Sequence, residues 1–216
     1  MVKKTNRWIV LIVSILMNIC IGSAYAWSVF QISLIEHLNS STKEVSLAFT
    51  INLALIPIAM IIFGKFQDKK GPKIVTLIGS IVFGVGLFLA GFSNSVAMLY
   101  ISYGVLGGFG IGAVYGCTIA NTVKWFPDKR GLAGGLVAGG FGSGAVILAP
   151  LGAKLVDTYG VLNTFRLMGV VFFIIIALCS LIIKEPKLGW VPENWTPPAR
   201  SKTSINSGKD FFPSEM

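Results

Sequence analysis

The stretch Gly64-Lys65-Phe66-Gln67-Asp68-Lys69-Lys70-Gly71-Pro72-Lys73 sets one carboxylate among four lysines and two glycines. The glycines permit a tight reversal, and Asp68 can accept hydrogen bonds or face a helix N-terminus. Such a turn is either a basic topology signal or a charged latch. A second turn, Trp125-Phe126-Pro127-Asp128-Lys129-Arg130-Gly131, repeats the chemistry, with Phe-x-Asp-Lys-Lys/Arg-Gly starting at Phe66 and again at Phe126. The echo is either a trace of internal duplication or convergent use of a basic turn.

Other polar groups sit inside apolar runs. At about 100° per residue, Ser14, Asn18, Gly22, Tyr25 and Ser28 fall within about 120° of one another. Tyr115, Thr118 and Thr122 share a face in the same way. In lipid these groups must meet protein or a water-filled cavity. Asn18, Tyr25, Ser28, Tyr115 and Thr118 are therefore candidates for the wall of a substrate path, with hydrogen bonding between helices as the alternative. Trp27 is nearly opposite Tyr25 and reads as packing. Gly104, Gly108, Gly112 and Gly116 recur every fourth residue, with Gly107 and Gly110 beside them. Gly131, Gly135 and Gly139 do the same, followed by Gly140 and Gly144. This spacing lets two helix backbones approach closely, as a sliding interface or as static packing.

Other chemistries lack their partners. A nucleotide loop at Gly107–Gly112 would need a preceding strand, and none is expected. Ser143, between Gly142 and Gly144, would need a general base to act as a nucleophile. The single histidine, His37, falls in a connection. Cys20, Cys117 and Cys179 lie far apart in apolar runs without metal-ligand spacing. No enzyme activity, cofactor or metal is expected.

The elements that carry these residues are membrane helices. Of 216 residues, 54% are hydrophobic and 12% charged, and mean hydropathy is +0.76. A bilayer core is roughly 30 Å thick and needs about 20 apolar residues per crossing. The apolar runs predict an all-α, integral membrane six-helix bundle with helices near 8–32, 44–63, 74–92, 96–122, 132–155 and 162–183. The run from Trp8 to about Phe30 is too long for a signal core and is read as a retained first helix. Ser41 and Glu44 have capping-box spacing before the second helix, and Pro57 should kink it. Residues 1–183 form the bundle. Residues 184–216, with five of the nine prolines, read as a cytoplasmic tail or inter-domain linker.

The net charge of +9 is not a nucleic-acid footprint, because the basic residues cluster between apolar spans. Segments 1–7, 64–73, 124–131 and 184–216 carry 3, 4, 3 and 5 lysines or arginines, against Lys43, Lys154 and Arg166 on the opposite side. Positive-inside bias puts both termini in the cytoplasm of a cell-membrane protein.

The first of these turns resembles the signature loop of the major facilitator superfamily, Gly-x-x-x-Asp-Arg/Lys-x-Gly-Arg/Lys-Arg/Lys. Gly64, Asp68, Lys69, Gly71 and Lys73 match, and Pro72 departs from the pattern. Three stretches further resemble the oxalate/formate antiporter family. They are Arg7-Trp8 through Gly22-Ser23-Ala24-Tyr25-Ala26-Trp27-Ser28-Val29-Phe30, then Lys124–Gly131, then Gly189-Trp190-Val191-Pro192-Glu193-Asn194-Trp195-Thr196-Pro197. The resemblance implies the N-terminal half of a twelve-helix carrier exchanging small carboxylate anions at the bilayer midplane. Lactate and pyruvate carriers are relatives of that family. It also implies that residues 64–73 gate the cytoplasmic side against the other half, and that Tyr25 and Tyr115 contribute to the site.

One requirement is unmet. A buried anion needs positive charge, and the six helices carry no Lys or Arg near the midplane. The family places those cations in its second half. Asp210–Met216 resembles the run-in to a seventh helix, so the expected partner is a second six-helix half, as a separate or missing chain. A truncated or frameshifted product, a split carrier and a dimerising half are the alternatives. A non-transporting regulatory or assembly protein of the same ancestry is the rival reading.

Overall fold

The computed structural model describes residues 6–187 and 190–192. The sequence readings at Lys3 and Lys4, at Gly189, at Glu193–Pro197 and at Asp210–Met216 lie outside the described residues. Among the described residues, six helices are long and apolar enough to cross a membrane: α1 Arg7–Leu38, α2 Thr42–Lys70, α3 Pro72–Ala90, α4 Val96–Trp125, α5 Arg130–Tyr159 and α6 Val161–Ile182. Most run past the predicted ends, because hydropathy marks the bilayer core while the helices continue into charged ends such as Glu36–His37 and Lys65–Lys70.

Local chemistry explains the boundaries. Asn6 caps α1, its side chain accepting from the Trp8 N–H at 3.0 Å. Ser41 and Glu44 form the expected capping box at the start of α2, an arrangement whose loss typically costs about 1 kcal/mol. Helix α2 runs on through Pro57, and α5 likewise contains Pro150. Two corners turn on glycines at φ +79, Gly71 between α2 and α3 and Gly160 between α5 and α6. A side chain there would be strained.

Two helices change their winding. In α1, Gly22–Ala26 tightens to 3-10 geometry where Gly22 lies against the α5 backbone at Phe141. In α4, Tyr100–Gly107 widens to π geometry. The Asn52 side chain donates to the Tyr103 carbonyl there at 2.7 Å, supplying a partner from α2.

The closest helix pairs are α1 with α5, α2 with α4, α3 with α4 and α3 with α6. Exchanging α1 with α4, α2 with α5 and α3 with α6 carries α1–α5 onto α2–α4 and α3–α6 onto itself, but carries α3–α4 onto the much looser α1–α6 pair. Lys65, Asp68 and Gly71 recur at equal spacing as Lys154, Asp157 and Gly160, and the two glycines have ψ of 168 and 161. The 64–71 corner is thus echoed locally at 153–160.

Candidate functional site

Helices α1 and α4 meet through a buried polar ladder. Asn18 Nδ2 donates to the Ser14 carbonyl at 2.7 Å and to Thr118 Oγ1 at 2.8 Å. Thr122 Oγ1 donates to Ser14 Oγ at 3.0 Å. All four residues are fully buried. Asn18 and Thr118 thus bond between helices and do not line an open wall, because a small side chain at a close crossing reaches its neighbour before it reaches solvent. Each such bond contributes about 0.6–2 kcal/mol in lipid. The Asn18 Oδ1 acceptor is left without a partner among the described residues.

One turn toward the opposite end, the aromatic candidates behave differently. Tyr25 from α1 and Tyr115 from α4 flank Phe141 of α5, with ring centroids 4.9 and 4.8 Å away. Tyr25 is 47% exposed, Ser28 is exposed and Tyr115 is partly so. Among the described residues neither phenol hydroxyl has a hydrogen-bond partner. Trp27 points the other way, buried beside Phe49 and Tyr103 with centroids 5.9 and 4.6 Å distant. Phe141 was not among the sequence candidates. Its signal was faint: a lone large side chain within Gly139-Gly140-Phe141-Gly142-Ser143-Gly144.

The glycines divide into packed and uncovered sets. Gly104, Gly108, Gly112 and Gly116 of α4 all face α2. A Cβ at Gly108 would stand 2.6 Å from the Asn52 carbonyl oxygen, and one at Gly112 would stand 2.5 Å from that of Ile56. Gly140 and Gly144 of α5 close on Ile15 and Ile19–Gly22 of α1. Gly135 and Gly139 correct the expectation of helix packing: a Cβ at either would meet nothing within 4 Å, as at Gly131 and Gly142. Spacing of four aligns glycines on a face, but the facing helix exists only for those turned toward α1. The uncovered ribbon continues into Val146, 77% exposed, and Ile147.

At the helix ends bearing both turns, the residues expected to form a gating loop are arranged otherwise than a loop. Helix α2 extends through Asp68 and Lys69, Gly71 alone makes the corner, and Lys73 lies in the first turn of α3. Asp68 and Gly64 stay on the outer flank of α2, and among the described residues Asp68 has no ion-pair partner. The α4–α5 turn is tied down instead. Arg7 pairs with Asp128 at 2.8 Å, with side-chain exposures of 22% and 16%, and its guanidinium stands 4.8 Å from the Phe126 ring.

Beyond α6 the chain folds under α4. The Lys184 carbonyl accepts from Trp125 Nε1 at 2.7 Å and Asn121 Nδ2 at 3.1 Å. Lys124 pairs with Glu185 at 2.6 Å, and Trp190 packs edge-on to Trp125 at 4.9 Å. Sequence reasoning read residues 184–216 as a cytoplasmic tail or inter-domain linker and did not foresee that Lys184, Glu185 and Trp190 pack under α4. The signal for this strap was the indole and amide donors at Trp125 and Asn121, which need acceptors at a helix end.

The uncovered face can therefore offer a small solute aromatic rings, two phenol donors and a smooth glycine wall. It supplies no fixed cation. Every described Lys and Arg lies within the first or last two turns of a helix or in a connection. Ser143 donates to the Gly140 carbonyl of its own helix at 2.9 Å and not to a base.

Comparison with known proteins agrees with this architecture. Residues 8–212 match the Major Facilitator Superfamily. The chain is 33% identical over 182 residues to the uncharacterized MFS-type transporter YhjX of Escherichia coli K12, covering 84% of this chain and 45% of the relative. It is 34% identical over 182 residues to the oxalate:formate antiporter of Oxalobacter formigenes, covering 84% and 43%. It is 29% identical over 180 residues to monocarboxylate transporter 9 of Gallus gallus, covering 81% and 35%. The chain spans less than half the length of these relatives. With six spanning helices among the described residues and this match along nearly its whole length, the chain is a multi-pass membrane protein belonging to the major facilitator superfamily.

Proposed function

We propose that this chain is one half of an alternating-access carrier for small carboxylate anions, of the oxalate/formate exchange type, with both termini in the cytoplasm. A second six-helix half would cover the uncovered face and bring the cations. The observation that supports the reading best is that face itself: Tyr25, Phe141 and Tyr115 sit beside the open glycine ribbon of α5, with no positive charge nearby. An anion entering an uncharged, low-dielectric site is unstable, so the arrangement suits one wall of a cavity whose opposite wall is basic. Gly64, Asp68, Gly71 and Lys73 would then meet the second half at the cytoplasmic end; Lys69, also expected there, stands on the α3 flank of α2. Residues 184–216 would link or follow the bundle.

A second reading takes monocarboxylates as the substrate, favoured by the similarity to monocarboxylate transporter 9. A non-transporting assembly role is the remaining alternative, and it would keep the uncharged face without needing cations. The test uses proteoliposomes holding this chain alone or together with a second six-helix half carrying midplane basic residues. Labelled oxalate should exchange against formate only in the paired vesicles, and Tyr25→Ala should reduce that exchange. Lactate counterflow without oxalate exchange would move the assignment to monocarboxylates. Exchange of oxalate by the chain alone would sink the proposal that it acts as a half.

A further inference from the structure

At the end of the bundle that carries the basic turns, a groove of about 370 Å³ opens between α2 and α3. Ile62, Phe63 and Phe66 of α2 and Ile78 of α3 form its apolar walls, and Lys65 and Lys69 stand at its rim. That volume lies within the span of about 300–1,000 Å³ usual for ligand sites. Both lysines are exposed, one turn apart on α2, and among the described residues neither pairs with a carboxylate. Lys70 and Lys73 on the adjoining corner add positive charge.

Asp68 lies about 160° round the helix from Phe66 in the groove wall, and about 60° from Lys65 and 100° from Lys69 at its rim. Its flank is shared by the exposed Pro57 and Ile61, the side turned away from α3. The groove flank continues along α3 into Ile74 and Ile81, which are 43% and 45% exposed as residues in contact with acyl chains should be.

We infer that this groove binds an anionic phospholipid. The phosphate would lie between Lys65 and Lys69, and one acyl chain would lie along Ile62, Phe66 and Ile78. Charge complementarity selects the headgroup. A basic pocket between helices at the membrane boundary is where such lipids gain most, because the lysine stems stay on apolar surface while the ammonium groups reach the phosphate. A soluble anion would use the lysines but leave the apolar walls unfilled. A zwitterionic lipid would fill the walls but gain little from the charge.

The experiment is native mass spectrometry of the full chain in detergent, titrated with dioleoylphosphatidylglycerol or dioleoylphosphatidylcholine. Phosphatidylglycerol should bind roughly thirty-fold more tightly, which is about 2 kcal/mol at 1.4 kcal/mol per tenfold and about 1 kcal/mol per lysine. The double substitution Lys65→Gln/Lys69→Gln lies on an exposed surface and keeps the fold; it should erase that preference. Lys43→Gln/Lys154→Gln removes equal charge elsewhere and should leave it intact. Ile78→Trp fills the groove with both lysines in place and should weaken both lipids together. An excess of glycerol phosphate should fail to displace the phospholipid. A preference that survives the Lys65/Lys69 substitution, that falls equally in the control pair, or that glycerol phosphate abolishes would overturn the inference. The readout is lipid binding by the chain alone, so its failure leaves the carboxylate proposal standing, and the reverse holds as well.

Discussion

Alanine at Gly112 and alanine at Gly135 should have opposite effects, although both glycines belong to four-residue ribbons. At Gly112 the added methyl would lie 2.5 Å from the Ile56 carbonyl oxygen and 2.6 Å from the Ala59 Cβ. Carbon-to-oxygen contact settles near 3.3–3.6 Å, so α2 and α4 must separate by roughly 0.8 Å or more. Overpacking of this kind costs about 1–3 kcal/mol, and separation also weakens the neighbouring contacts at Gly108 and Gly116. Alanine recovers about 1 kcal/mol of helix propensity, leaving a net loss of up to about 2 kcal/mol. At Gly135 nothing stands within 4 Å, so only the propensity gain remains.

Cys20, Cys117 and Cys179 are all buried and supply the assay, since a thiol-reactive dye labels them only as the bundle opens on heating. At roughly 2–4 °C per kcal/mol for a chain of this size, Gly112→Ala should lower the midpoint by up to about 8 °C and Gly135→Ala should raise it by up to about 4 °C. Equal shifts of the same sign would refute the division of the ribbons into packed and uncovered sets.

Three further outcomes follow from the same contacts. Thr118→Val should destabilise the bundle by about 0.6–2 kcal/mol, since it removes the acceptor on α4 for the Asn18 amide while leaving the bond to the Ser14 carbonyl, whereas Tyr25→Phe should leave the midpoint unchanged; thermal dye labelling of both variants is the check. A double-mutant cycle of Arg7→Gln and Asp128→Asn should give a coupling of about 1 kcal/mol, more than an exposed pair because both side chains are largely covered; additive single effects would remove the tie between α1 and the α4–α5 turn. Trp125→Phe deletes one of the two donors to the Lys184 carbonyl, so trypsin should cut after Lys187 faster than in the parent. An unchanged cleavage rate would mean that the strap does not depend on that bond.

Membership of the six spans was legible because each is a local property. Within lipid a segment must satisfy its own backbone hydrogen bonds, so length and hydropathy are enough to identify a crossing helix. The capping box at Ser41 and Glu44 was legible for the same reason, being complete within four residues. Helical period puts Tyr25 and Tyr115 each on the polar flank of its own helix, but that both flank Phe141 is a relation between helices. The turn at 64–73 was legible as charge and glycine spacing, but its shape was not. Asp68 and Lys69 turned out to be helical because neither residue type interrupts a helix and Gly71 alone can adopt φ +79.

What stayed hidden depends on which element stands opposite. Period and spacing place Gly112 and Gly135 in equivalent ribbons, yet α2 lies against one and nothing among the described residues lies against the other. Asn18 and Tyr25 share a stripe on α1, but the α1–α4 crossing takes Asn18 into a ladder with Thr118 and leaves Tyr25 beside Phe141 at the opening. The acceptor for Trp125 comes from a segment about sixty residues further along, across the end of the bundle. Helix formation in a bilayer is settled residue by residue along the chain. Helix partnership is settled by shape and by the few polar groups that must find each other, and those relations exist only once the helices have been brought together.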